Sequence, residues 1–159
     1  MLKKILRKVI LFYAIITIFN LSYAEEIEMF AEKEFLIIKS TKDYKEALKV
    51  CKEADKKLKY GIDLRDLQYN KETGLSFSKE SLGNEAELFP CYFPRGRGDD
   101  GKYLSIEYSD GYKEFAKGYY IVIAESGEKG SMKETLKEVK RYYKDSYLKT
   151  AKIYTGCLH

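Results

Sequence analysis

Tryptophan is absent from this 159-residue chain, and histidine occurs once, as His159. A lone terminal imidazole excludes a multi-histidine metal centre and supplies no positioned base for Ser-His-Asp chemistry. The three cysteines, Cys51, Cys91 and Cys157, contain no C-x-x-C pair, which excludes thioredoxin-like redox chemistry. Proline occurs only at Pro90 and Pro94, and no low-complexity tract is present, so no long disordered linker is expected. No apolar run reaches the ~20 residues that a membrane-spanning helix needs.

What is present begins with a basic start, Lys3, Lys4, Arg7 and Lys8, followed by the apolar run Val9–Leu21 and the small-residue exit Ser22-Tyr23-Ala24. That order is the pattern of a secretory signal peptide, with cleavage expected after Ala24. The mature chain, residues 25–159, is then a periplasmic or secreted protein with no stable membrane insertion. The formal charge of +4 belongs to the leader: 29 bases less these four leaves 25 against 25 acids. A neutral body lacks the basic footprint of a nucleic-acid binder. Charge is nonetheless uneven, with seven bases against three acids in Lys133–Lys152. A solvated helix face is the ordinary account of such a run, and a partner surface the alternative.

Phe35-Leu-Ile-Ile38 reads as a buried strand. Ser40, Thr41 and Asp43 are N-cap types, and Tyr44, Ala47, Leu48, Cys51, Ala54 and Leu58 recur at helical spacing, predicting a helix over Asp43–Leu58. Gly61–Leu67 alternates like a half-buried strand. The grammar repeats: Tyr119–Ala124 is a strand, Gly127–Gly130 a turn, Ser131 and Glu134 fit a capping box, and Leu136, Val139, Tyr143 and Tyr147 continue as a helix. Ala151–Thr155 closes the unit as a strand.

Two β-α-β units in tandem predict a single α+β domain of ferredoxin-like type. It has a four-stranded antiparallel sheet, both helices on one face and the other face open. Between the units, residues 68–117 form an insertion of about fifty residues, too long for a plain connection. Within it Asn70–Gly74 is a turn, Ser78–Leu82 a helical turn, and Lys102–Tyr108 an alternating strand, so the insertion adds a strand or hairpin.

The stretches Phe35-Leu-Ile-Ile-Lys-Ser-Thr-Lys-Asp-Tyr-Lys-Glu-Ala47 and Tyr119-Tyr-Ile-Val-Ile-Ala-Glu-Ser126 resemble the SPOR (sporulation-related repeat) family. These are exported modules of two βαβ repeats that bind bacterial cell-wall glycan. The resemblance implies a SPOR-like fold over residues 25–159 and glycan as ligand.

In an oxidising compartment three cysteines imply one disulfide and one thiol. Cys51 lies on the apolar helix face, whereas Cys91 and Cys157 lie on irregular backbone, which favours Cys91–Cys157; pairing of Cys51 with either is the alternative. In the insertion, Arg95 and Arg97 stand among Tyr92, Phe93 and Tyr103, with Glu107 on the following strand. Guanidinium and aromatic groups together suit sugar or carboxylate recognition, and packing within a turn is the other reading. Arg97-Gly98-Asp99 spells an integrin-type tripeptide inside a glycine-rich turn. Asp99, Asp100, Glu107 and Asp110 offer oxygen ligands but no EF-hand spacing, so no metal is expected. No catalytic residue and no cofactor is expected. The chain reads as a non-enzymatic binding protein, holding cell-wall glycan or an envelope protein through the open sheet face and the insertion loop. The alternative is a periplasmic immunity or inhibitor protein whose insertion plugs a toxin or lytic enzyme.

Overall fold

The computed structural model describes residues 29–156. The expected leader with its cleavage point at Ala24, and Cys157 and His159, lie outside the described residues. The described residues fall into two units, residues 32–153, and residues 29–31 with 154–156. In the described part of the second, Thr155 N donates to Met29 O at 2.7 Å, and the rings of Phe30 and Tyr154 meet edge-on at 5.3 Å.

The chain is α+β. Its strands and helices are β1 (Phe30–Thr41), α1 (Tyr44–Leu58), β2 (Gln68–Asn70), β3 (Gly74–Ser76), β4 (Gly101–Tyr108), β5 (Tyr120–Glu128), α2 (Lys133–Val139) and β6 (Tyr147–Tyr154). The main sheet is four-stranded and antiparallel, in the order β4-β5-β1-β6, and β2 and β3 make a separate hairpin. Asn70 Oδ1 closes the hairpin turn by accepting from Glu72 N at 2.8 Å and Thr73 N at 3.3 Å.

A run of four apolar residues in β1 marks a strand buried on both faces rather than one. Leu36 and Ile38 point to the helices, where they meet Ala47, Cys51, Ala54 and Leu58 of α1 and Val139 of α2. Phe35 and Ile37 point the other way, onto Ile121, Ile123, Ala151 and Ile153. The helix α1 forms as its spacing predicts, with Asp43 as N-cap accepting from Lys45 N at 2.9 Å.

The structure corrects three details. Gly61–Leu67 does not join the sheet as a strand; it makes one parallel bridge, Ile62 to Leu104. Asp63 Oδ1 takes Arg65 N at 2.7 Å, and Arg65 and Asp66 turn into the left-handed region with φ of 56° and 54°, which ends the extended run. The strand that follows α1 in the main sheet is therefore β4, the strand expected inside the insertion. The chain outside the main sheet and helices between α1 and β5 accordingly lies at 59–100, which holds the β2–β3 hairpin, and at 109–119, rather than in one block at 68–117. At α2 the capping box does not form: Ser131 Oγ donates to Glu128 O at 2.7 Å, and the N-cap is Met132 with no side-chain bond. The helix stops at Val139, and Tyr147 opens β6.

The second face of the sheet is not open. Tyr112 and Phe115 stack at 4.6 Å, and Phe35 meets both rings edge-on at 5.2 and 6.1 Å. Phe35, Ile37 and Ile123 are 0 % exposed as a result. The expectation that a partner lies on this face is replaced by burial beneath the protein's own chain.

Cys51 sits at the centre of the helix-side core, where burial first and Asp55 second push its thiol up to about 11. Its thiolate fraction at pH 8 should fall about 100-fold relative to an ordinary thiol. Alkylation of the native protein with iodoacetamide, mapped by mass spectrometry, should leave Cys51 unmodified until denaturant is added. Ready labelling of Cys51 in the native state would contradict this core.

Candidate functional site

The residues singled out in the insertion do come together, but they face inward. The segment after Pro94 lays Arg95 on the second sheet face, where its side chain is fully buried. Its Nε donates to Ser126 Oγ on β5 at 2.9 Å. Its Nη1 donates to Tyr103 O at 2.9 Å and Ser105 Oγ at 3.2 Å, and its Nη2 to Gly101 O at 2.5 Å. The guanidinium lies 3.4 Å from the centre of the Tyr103 ring. Arg95 N donates to Tyr112 Oη at 3.0 Å, joining the two segments that cover the sheet.

Arg65, which no pattern in the sequence singles out, is the second fixed charge. Its Nη1 donates to Glu107 Oε2 at 2.8 Å and to Phe93 O at 3.0 Å, and its Nε is 3.1 Å from Asp99 Oδ2. Asp99 Oδ1 in turn accepts from Gly96 N at 2.7 Å and Arg97 N at 3.1 Å, closing the loop on itself. Burial raises the Glu107 pKa, and Arg65 pulls against that rise. Burial likewise raises Tyr112 well above the usual phenol range.

This network holds the loop to the sheet. The structure corrects the expectation that Arg95 and Glu107 contact a ligand: both are buried, Arg95 on internal acceptors and Glu107 through its Oε2 on Arg65. Tyr92 Oη donates to Thr73 O at 2.6 Å, and Arg97 lies over Phe93 at 4.9 Å. Asp99 thus ties the Gly96–Asp99 turn back to Arg65.

Beside the network five tyrosines form a continuous array. Tyr69 stacks on Tyr44 at 4.7 Å, Tyr44 meets Tyr120 at 5.4 Å, Tyr120 meets Tyr108 at 5.1 Å, and Tyr108 meets Tyr92 at 5.6 Å. Burial and the neighbouring phenols push Tyr120 up to about 12. It packs the β2–β3 hairpin against α1 and the sheet. The signal for it in the sequence is the count of 15 tyrosines, which does not say where they meet.

Concave surface open to solvent lies elsewhere, at the end of the sheet where β1 finishes and β6 begins. One hollow of about 390 Å³ is lined by Lys39, Ser40, Val50, Tyr142, Tyr143 and Lys144, among others. A second, of about 190 Å³, is lined by Ser40, Phe115, Tyr119, Ile121, Tyr147 and Lys149, among others. The two share Ser40, whose Oγ is 3.0 Å from Tyr147 Oη. Tyr142 and Tyr147 are 52 % and 40 % exposed. Lys149 lies 4.7 Å from the centre of the Phe115 ring, and Lys42 lies 5.3 Å from that of Tyr119. Glu46 is occupied by Lys39 at 2.6 Å and by the Thr41 hydroxyl, and these bonds lower its pKa. Among the described residues, Asp145 is the one acid lining either hollow.

Among the described residues no group of three His, Cys, Asp or Glu side chains is arranged to hold a metal ion. No described helix is long and apolar enough to cross a membrane. Comparison with protein-family models, curated proteins and solved structures gives no match.

Proposed function

We propose that this chain is an exported, non-enzymatic binding protein of the bacterial envelope that holds cell-wall glycan, built on a SPOR-like, ferredoxin-like body. The sheet order supports the fold reading. β1 and β5 are central and β4 and β6 are at the edges, with one helix between β1 and β4 and one between β5 and β6. That is the interleaving two β-α-β units in tandem produce when they share a sheet.

The observation that carries the functional reading is the pair of hollows at Ser40. Half-exposed tyrosines beside lysines and hydroxyls offer flat apolar faces to sugar rings and donors to their substituents. Phenols, ammonium groups and a serine hydroxyl in this array suit recognition of a ligand. The ligand surface moves from the sheet face, which the chain itself covers, to the end of the sheet.

The test is co-sedimentation of mature protein with purified peptidoglycan sacculi. Retention is expected, and Tyr142→Ala with Tyr147→Ala should weaken it about tenfold, the scale of a truncated aromatic anchor. Absence of retention would overturn the reading. Export itself is checked on the same material: mass spectrometry should find the chain beginning at Glu25, with Cys91 bridged to Cys157.

A further inference from the structure

We infer that the smaller hollow takes one short apolar side group of the glycan, ending in a carboxylate that lies against Lys149, an inference that rests on the glycan-binding reading above. Three observations carry it. The first is place and size. The hollow lies on the second face of the sheet, with Phe115 and Ile121 as its floor, and the contact between Ser40 Oγ and Tyr147 Oη closes it off from the larger hollow. Its volume of about 190 Å³ is below the roughly 300–1,000 Å³ of sites that enclose a whole small-molecule ligand. It therefore fits one branch of a larger molecule and not a run of sugar rings.

The second observation is polarity. The hydroxyls that line the hollow are already engaged: Ser40 Oγ lies 3.0 Å from Tyr147 Oη, and Ser109 Oγ accepts from Tyr119 N at 2.9 Å. A sugar ring turned into this space would leave several of its hydroxyls without partners, a cost that a group of carbon atoms avoids. The third observation is charge. Lys149 holds its ammonium 4.7 Å from the centre of the Phe115 ring, and Lys42 stands 5.3 Å from that of Tyr119. Among the described residues no carboxylate lines this hollow, and neither lysine is in an ion pair. Lys39, by contrast, is paired with Glu46 and belongs to the larger hollow. An ammonium group against an apolar wall, with no acid beside it, calls for an anion on the ligand. The apolar surroundings favour a carboxylate, because its single charge costs less to desolvate than the roughly −1.5 to −2 of a phosphate monoester.

The experiment is co-sedimentation of the mature chain with sacculi before and after their carboxylates are converted to amides. Amidation should raise the dissociation constant about threefold, the scale of one exposed ion pair. Lys149→Gln should weaken binding to untreated sacculi by about the same factor and make the variant indifferent to amidation, since both changes remove one and the same contact. Ala116→Leu, a neutral change at an exposed position that lines the hollow, should also abolish the difference by filling the space. Lys152→Gln removes the same charge from β6 outside both hollows and should keep the threefold difference. Equal binding to untreated and amidated sacculi would overturn the inference and leave the glycan-binding reading intact. So would a difference that survives Lys149→Gln, which would put the carboxylate elsewhere, or a loss caused by stripping phosphate from the sacculi and not by amidation. Loss of the difference in Lys152→Gln as well would show a diffuse charge effect and overturn it too. Failure to bind untreated sacculi would remove both readings together.

Discussion

Arg95→Ala should lower the stability of the protein by about 3–5 kcal/mol in a denaturant titration, the scale for removing one partner from a buried charged network. Alanine deletes the donors to Ser126, Tyr103, Ser105 and Gly101, and the stacking on Tyr103. It leaves the carbonyls of Tyr103 and Gly101 without their guanidinium donor, and an unmade buried bond is costlier than a made one is favourable. Glu107 would keep Arg65 but lose the nearby positive charge that offsets its burial. Arg95→Lys should recover only part of the loss, because an ammonium group cannot reach Ser126 on β5 and the Gly101, Tyr103 and Ser105 oxygens on β4 at once. The loop is the cover of the sheet, so Arg95→Ala should also bind a hydrophobic dye as Phe35, Ile37 and Ile123 become accessible. A cost below about 1 kcal/mol, the range of an ordinary surface contact, would mean that the guanidinium does not hold the loop.

Gly74→Ala should cost about 2–4 kcal/mol, from two separable sources. The first is backbone: Gly74 has φ of +79°, which an L side chain adopts only with strain. The second is steric. A Cβ at this position would lie 2.5 Å from Cε1 and Cζ of Tyr108. That ring is held between Tyr92 and Tyr120, so it has no free direction in which to move. Gly61 provides the control, because it has the same φ of +79° and nothing within 4 Å of the point where an alanine methyl would stand. Gly61→Ala should therefore carry only the backbone cost of about 1–2 kcal/mol. Equal losses for the two substitutions would show that the tyrosine array yields, and that the hairpin is not anchored by it.

These two predictions concern how the insertion grips the sheet, which is the part least legible in the sequence. The run Phe35–Ile38 and the cap-and-period pattern of α1 are local, and both elements form where that pattern places them. Strand choice is not local. Gly61–Leu67 and Lys102–Tyr108 carry the same alternation, and what separates them is the turn at Asp63–Asp66, set by one side chain accepting a backbone N–H. Likewise Tyr143 and Tyr147 fit a 3.6-residue period, yet the chain turns at Tyr143 and enters β6, where Tyr147 meets Ser40.

The candidate site shows the same division. The proximity of Arg95, Tyr103 and Glu107 follows from their short spacing. Their direction does not, because it depends on Ser126, thirty-one positions away, and on Arg65, forty-two positions from Glu107. The hollows at Ser40 draw residues from β1, α1, the stretch after α2, β6 and the stretch before β5. No window of sequence displays them, and the basic run Lys133–Lys152 is the one trace of them that can be read.

Hydrogen exchange of the mature protein, measured with and without peptidoglycan sacculi, tests the central claim most directly. Glycan should slow exchange in residues 38–42, 115–119 and 142–149, and leave residues 92–103 as slow as they are in the free protein. Protection gained at 92–103 with the Ser40 region unchanged would put the ligand on the insertion loop and contradict the assignment of that loop as a cover.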